Sequence, residues 1–423
     1  MIARSFQAIS AGAVLVIFHG VALAAPLSPE RVNALPPSER ASWQQYVERS
    51  NAAWRKDHET LSAEMAARGL QQPLAPPRGG DFKLPSHPTP AWFGSTGAGQ
   101  MATTVISFQT PAGGWSKKLD FTGTARKPGT PWSSQGVPAD PWHYVGTFDN
   151  RATTEELRFL AGVWLATKRQ DCADAFRRGL DYIFAAQFPN GGWPQVWPLE
   201  GKYHDDITFN DDAMMHVMEL LRDVSNGSPE FAFVEEARRS RVKQALAAGL
   251  DCVLKTQVRQ HGALAVWGAQ HDPLTLAPSP ARLKEPASLS GGESVELVRF
   301  LMKLPWQSPP VVAAVEGALA WFEKVKITDI EKTVENGKHT YVHVAHASRP
   351  LWARFYDVTT NQPLFAGAQD GVIYPTFAEM QAHNHIGYDY YTGQPEALIT
   401  KDQAKWRKGL GQNGQADSER EQK

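Results

Sequence analysis

Apolar residues recur at helical spacing along most of the chain, and polar stretches rich in Gly, Pro and Trp separate the periodic runs. Met214, Val217, Met218 and Leu221 fall at i, i+3, i+4 and i+7, which predicts a helix just after Asp212. Leu157, Leu160, Ala161 and Trp164 form a similar stripe behind a Thr153-x-x-Glu156 capping box. Phe176, Leu180, Ile183 and Phe184 make the next stripe, and Val242, Leu246, Leu250, Val253 and Leu254 another. Leu297, Val298, Leu301 and Met302 continue the series until Pro305, and Val312, Val315, Leu319 and Phe322 follow. Upstream, Ser38 to Gly69 reads as a long polar helix carrying Trp43, Tyr46, Trp54 and Leu61, with Gly69 as its stop. Pro73 to Pro90 is a Pro/Gly-rich connector. Between Thr340 and Val358 the period changes. Tyr341, Val342 and Val344, then Leu351 to Val358, predict two short strands, the second with Trp352, Arg354 and Tyr356 on one face.

An internal echo organises these elements. Gln109 to Trp115 (QTPAGGW) repeats as Gln187 to Trp193 (QFPNGGW), the tryptophans lying 193 − 115 = 78 residues apart. Gln257, ahead of Trp267, reads as a third, degenerate copy. A helix pair plus a loop fills such an interval. Repeated helical hairpins with equivalent loops at one end predict an all-α fold, an α/α toroid whose cleft lies where the loops converge. The expected layout is a signal peptide over 1–24, an N-terminal helix and linker over 25–90, the toroid over 91–407 and a disordered tail over 408–423.

Composition narrows the setting. The chain has 423 residues, with 43 basic and 44 acidic side chains, a balance that argues against a nucleic-acid partner. Arg4, an apolar run and the small-x-small site Ala22-Leu23-Ala24 read as a leader cleaved near Ala24. The run is short and Pro26 follows at once, so a membrane anchor is disfavoured and export to periplasm or medium is expected. Without Arg4 the balance becomes 42 − 44 = −2. Cys172 and Cys252 lie in helical patterns, as a disulfide or as buried thiols, and neither has zinc-site spacing.

Four polar clusters sit among aromatics. In the first, Asn210 reads as an N-cap, and Asp211 and Asp212 suit the positive end of the helix dipole, which favours their charged forms. The bland alternative is helix stabilisation alone. The second, Trp267 to Asp272 (WGAQHD), offers Asp272 as a ligand or as a turn former before Pro273. The third, Ala281 to Glu285, contains Arg282 and runs into Gly291-Gly292, an anion cradle or simply a turn. The fourth holds Arg354, a carboxylate binder or half of a structural ion pair. Carboxylates without cysteine favour a hard, oxygen-liganded cation such as Ca²⁺. Acids and arginines together suit an acidic polysaccharide, and cations beside a uronate stabilise the charge that develops when the C5 proton leaves and the C4–O bond breaks.

The motifs GGWPQ, ITFNDDAM, WGAQHD, SLSGGES and LWARFYDV, in this order, resemble the family 10 polysaccharide lyases, pectate lyases on an α/α toroid. Gln109 to Lys117 and Phe148 to Ala161 resemble the same family, and the likeness runs from about Trp92 to Trp406. It implies cleavage of polygalacturonate by calcium-assisted anti β-elimination with an arginine as base, by a chain expected to be a monomer. Carried over by motif, Asp211 and Asp272 match acids that bind calcium or face it across the substrate. Arg354 matches a carboxylate-binding arginine, and Asn210 and Arg282 match substrate contacts. The catalytic positions are then Asp211, Arg354 and 369. There the family's arginine is replaced by Gln369, which has no basic site. Asn384-His385-Ile386 and Leu283-Lys284 also depart from the pattern. Lys284, His383, His385 and Arg349 are the candidates to replace the base. A second reading is a non-catalytic binder of acidic glycan, or a lyase on another uronate. A third is an isoprenoid cyclase, from the two Q-x-x-x-G-x-W matches, but its D-x-D-D signature is missing.

Overall fold

The computed structural model describes residues 26–82, 84–136, 142–335, 338–383 and 389–410. The leader with its cleavage site, Asn384 to Tyr388 and the tail from 411 lie outside the described residues, while 403–410 is helical, so the expected tail boundary at 408 falls inside a helix. Eight longer helices carry the chain: α1 (Pro37–Ala67), α2 (Thr96–Ser107), α3 (Thr154–Thr167), α4 (Gln170–Ala186), α5 (Ala213–Ser225), α6 (Glu236–Thr256), α7 (Ser294–Met302) and α8 (Pro309–Val325). Helices α3 to α8 coincide with the apolar stripes, whose residues are buried in one continuous core or packed against it, and α1 with the long polar helix, while α2 falls outside the expected helices. Successive helices pair as α3/α4, α5/α6 and α7/α8; α3 packs on α5 and α5 on α7, while α6 packs on α8.

Three glutamines make the repeat visible in hydrogen bonds. The Gln109 side-chain amide donates to the Gly113 carbonyl at 2.8 Å and to Ala175 in α4 at 2.9 Å. Gln187 donates to Gly191 and to Ala245 in α6, both at 2.9 Å. Gln257 donates to Ala265 at 2.8 Å and to Ala314 in α8 at 2.9 Å. The third copy is therefore real; it is degenerate because a small hairpin, Arg259–Gln260 with Ala263–Leu264, is inserted between Gln257 and Trp267. Gly191 has φ +94°, and a Cβ there would stand 2.1 Å from the Ala248 carbonyl oxygen, so only glycine fits the close approach. Each tryptophan then anchors its loop to the preceding helix: the indole N–H of Trp115, Trp193 and Trp267 donates to the carbonyl of Val105, Ile183 and Val253.

Strands are short. β1 (Ile207–Thr208) pairs with β2 (Gln270–His271), and β3 (Leu289–Ser290) pairs with a later segment, Phe355–Tyr356. A longer hairpin joins β4 (Ile330–Glu335) to β5 (Lys338–His343). The expected strand over 351–358 is split. β6 (Trp352–Ala353) pairs with Tyr391–Thr392, whereas β7 (Phe355–Tyr356) pairs with β3, because the Arg354 backbone N–H turns aside to the Tyr390 carbonyl.

The N-terminal helix α1 is packed onto the body. Trp43 and Tyr46 are buried against Phe188, and the Tyr46 hydroxyl donates to the Ala186 carbonyl. Asp57 accepts the Ala112 backbone N–H, and Glu64 takes both guanidinium nitrogens of Arg126 at 2.9 and 2.6 Å. Cys172 and Cys252 are buried free thiols, not a disulfide. Among the described residues no helix is long and apolar enough to cross a membrane.

Candidate active site

The tryptophan anchors position three equivalent loops. Past each anchor the chain returns, and the backbone N–H of Thr147, Thr208 and Ser290 donates to the carbonyl of Trp115, Trp193 and Trp267 at 3.0, 3.1 and 2.8 Å. The next residue donates to the carbonyl two positions past the following tryptophan. Phe148 reaches Gln195, Phe209 reaches Ala269, and Gly291 reaches Arg354, two past Trp352. Each loop is thus stitched to its own anchor and to its neighbour. Asp149-Asn150, Asn210-Asp211 and Gly292-Glu293 consequently emerge at matching positions, just ahead of α3, α5 and α7.

Two of these loops share an uncommon backbone. Asn150 and Arg151 have φ +52° and +68°, and Asp211 and Asp212 have φ +50° and +57°. Left-handed non-glycine residues cost roughly 1–2 kcal/mol each, and such strain concentrates at functional sites. It also overturns the expected cap. α5 begins at Ala213 with Asp212 in the N-cap place and no side-chain cap bond. The Asn210 amide instead donates to the Asp211 carboxylate at 2.9 Å. Thr153 likewise caps nothing with its hydroxyl, which donates to the Thr147 carbonyl and accepts from the Trp115 backbone.

Charges then gather. Arg354 donates to the Glu293 carboxylate at 2.8 Å and to the Asn210 side-chain oxygen at 3.2 Å, so it forms an ion pair and still borders the acids. Lys117 grips one oxygen of buried Asp149 at 2.5 Å, while the other, Oδ1, is buried with no hydrogen-bond partner. Burial raises the Asp211 carboxyl above its ordinary range, and the Asp149 and Glu293 charges push the same way, against Arg354 and Arg282. Burial, with Glu296, Glu293 and Asp211, lifts Asp212 to about 7. The helix dipole does not hold both acids fully ionised, contrary to expectation. A cleft of about 530 Å³ runs past Asp211, Asp212, Glu293, Glu296 and Arg354.

Arg282 is close enough to act electrostatically on Asp211, and it is clamped by Glu285 at 2.7 and 2.5 Å. Lys284 is lowered from the ordinary lysine range by burial and then by Arg282, with Arg354 adding to the effect. Asp272 is engaged elsewhere. It accepts the backbone N–H groups of Leu274 and Thr275, the turn expected before Pro273, and binds Arg31 at 2.5 Å. The acids acting on Asp211 are therefore Asp149 and Glu293. Sequence reasoning passed over both, and over Lys117; the signal was the echo of Phe148-Asp-Asn-Arg-Ala152 in Phe209-Asn-Asp-Asp-Ala213. Oxygen donors, one of them an orphaned buried carboxylate oxygen, fit a hard divalent cation.

Residues 109–399 match the model of a family described as pectic acid lyase. The chain belongs to the pectic acid lyase family. A mutant of a family 10 polysaccharide lyase from Cellvibrio cellulosa, solved in complex with trigalacturonic acid, is 31% identical. That match has a TM-score of 0.63 and covers 74% of this chain and 96% of the other. A second structure of a family 10 polysaccharide lyase from the same organism is 30% identical, with a TM-score of 0.62 and coverage of 77% and 99%. No curated protein shows a match. As a member of the pectic acid lyase family, the chain is a polysaccharide lyase by descent. Its Gln369 stands exposed at the tip of a small hairpin joining Phe365–Ala366 to Ile373–Tyr374. There Asp370 accepts the Tyr374 hydroxyl at 2.7 Å, and Tyr374 stacks on His383. Arg349 is exposed and paired with Glu396.

Proposed function

We propose that this chain is an exported pectate lyase that cleaves polygalacturonate by β-elimination on an α/α toroid, with calcium as cofactor. The observation that carries the reading is the gathering of Asp149, Asp211 and Glu293 from three equivalent loops beside Arg354 and Arg282. Asp149 and Asp211 would hold the ion, and a bound Ca²⁺ supplies a divalent charge against the uronate carboxylate. Arg354 and Arg282 present planar donors that suit uronate carboxylates and add positive charge where the C5 carbanion develops. Clamping by Glu285 and Glu293 fixes both arginines before substrate arrives.

The base is the open role, since Gln369 has no basic site. Lys284 fills it best: burial and the charges of Arg282 and Arg354 depress its ammonium, which exposes a neutral amine at lower pH than an ordinary lysine. A base acts deprotonated, so turnover rises as pH climbs through the lowered Lys284 pKa and levels off above it. The exposed Gln369 favours one competing reading, a binder of acidic glycan that does not cleave. Release of unsaturated product from polygalacturonate, followed by absorbance, separates the two in wild type, Lys284→Met and Gln369→Arg. The lyase reading expects a fast wild type, a Lys284→Met variant slowed at least about 100-fold and little change in Gln369→Arg. A silent wild type awakened by Gln369→Arg establishes the binder instead.

A further inference from the structure

Two loops bring His143, Glu200 and His204 together, with one donor atom from each lying within 4.8 Å of the others. Glu200 Oε2 is 3.2 Å from His143 Nδ1 and 3.6 Å from His204 Nδ1. In a tetrahedral site with metal–ligand bonds of about 2.0–2.1 Å, neighbouring ligand atoms are about 3.3 Å apart. Both Glu200 contacts already have about that spacing, and the remaining pair lies within 4.8 Å.

The surrounding bonds hold the donors in place. Glu200 Oε1 accepts the Tyr144 backbone N–H at 2.9 Å, which leaves Oε2 facing both imidazoles. His204 is 2% exposed, and its Nε2 meets the Tyr144 hydroxyl at 2.8 Å. Its Nδ1, on the Glu200 side, is buried with no hydrogen-bond partner. An imidazole whose outer nitrogen is tied while the inner one waits, orphaned, is how metal-bound histidines are oriented. Glu200 itself is anchored, its backbone N–H donating to the buried Asp205 carboxylate at 2.9 Å. His143 is partly exposed and gives an ion a way in.

We propose that His143, Glu200 and His204 form a second, separate metal site that takes a borderline divalent ion of the zinc class, not calcium. Two imidazoles and one carboxylate select such an ion, whereas Ca²⁺ takes six to eight oxygens. Lys117 and Arg282 press positive charge toward His204, but each is matched by its own acid, Asp149 and Glu285. Lys202 adds to that pressure, while the Glu200 carboxylate lies 3.6 Å from His204 Nδ1. The ion cross-links residues 143–144 to 200–204. Tyr144 carries the effect onward, because the Lys117 ammonium rests 3.5 Å from the centre of its ring. The inference does not depend on the lyase reading.

The test uses the full mature chain stripped with a chelator, then titrated separately with Zn²⁺, Co²⁺ and Ca²⁺ in equilibrium dialysis, with visible spectra for Co²⁺. Expected are one tight Zn²⁺ per chain, an intense tetrahedral-type Co²⁺ spectrum displaced by Zn²⁺ and untouched by Ca²⁺, and a Tm raised by Zn²⁺. His143→Ala, a partly exposed change that spares the core, abolishes the spectrum and the Tm rise. Tyr144→Phe keeps the spectrum and weakens binding about 10- to 100-fold. Absence of tight Zn²⁺, a weak octahedral-type Co²⁺ spectrum, or unaltered binding in His143→Ala overturns the proposal.

Discussion

The loops at Phe148–Ala152 and Phe209–Ala213 have almost the same backbone, down to paired left-handed residues and matching bonds to their tryptophan anchors. Their charges differ. In the first, Asp149 is 2% exposed and held by Lys117 at 2.5 Å. In the second, Asp211 has the Asn210 amide and no lysine, and its carboxyl is raised by burial and by two neighbouring acids. One scaffold thus carries a neutralised acid and an acid short of compensation side by side. The repeat builds geometry, while the loop side chains and their neighbours from other segments set the charge.

Exchanging or deleting these charges is the sharpest way to break the comparison. Asp211→Asn is expected to cut kcat/KM on polygalacturonate by about 1000-fold or more, as does loss of a central electrostatic group. Calcium-free urea unfolding of the same variant shows equal or higher stability, because a poorly compensated buried carboxylate is gone. Asp149→Ala behaves oppositely in that assay. It strands the Lys117 charge in a mostly buried place and costs about 3 kcal/mol. If both variants lose the same stability, the two loops are not different in kind. Arg354→Lys keeps a positive charge but loses the planar guanidinium, one nitrogen of which reaches both Glu293 and Asn210; steady-state kinetics should show about a 100-fold loss in kcat/KM.

The scaffold side of the comparison predicts effects on stability without effects on chemistry. Gln109→Ala and Gln257→Ala each strip partners from two carbonyls and should each cost about 2–4 kcal/mol in denaturant unfolding. Similar costs support equivalence of the copies. A negligible cost at Gln257 makes the third copy an accident. The smallest effect concerns Glu156, buried in the first turn of α3, whose carboxyl burial pushes up to about 8. The folded chain keeps a proton that the unfolded chain releases near 4.5, so stability falls as pH rises from about 4.5 to 8. Glu156→Gln should remove that slope and add about 1–3 kcal/mol at pH 9, read from unfolding midpoints across pH.

Much of the helical framework was legible because a 3.6-residue period needs only local sequence: the stripe at Met214, Val217, Met218 and Leu221 lies buried in α5. The Gln-Gly-Trp echo was legible for a related reason, since Gly191 and the tryptophan anchors answer to contacts that recur in each copy. The site was legible only in part. Asp211, Arg354 and Arg282 stood in motifs, and the structure brings both arginines within electrostatic reach of Asp211. Asp149 was missed because its role comes from a neighbour 32 residues away, Lys117, and from stitching to the next repeat. Asp272 was assigned to the cluster by its motif, yet its partner is Arg31, at a sequence distance of 241, in the N-terminal arm. The strand over 351–358 failed for the same kind of reason: its halves pair with segments on opposite sides in sequence, Leu289–Ser290 and Tyr391–Thr392.

The most direct test of the account is calcium titration of polygalacturonate cleavage in wild type and Asp211→Asn, following the unsaturated product. The account predicts saturable calcium activation of wild type, abolished by chelation and restored by calcium, with almost no product from Asp211→Asn at any calcium level. Undiminished cleavage by Asp211→Asn, or wild-type cleavage indifferent to chelation, contradicts it.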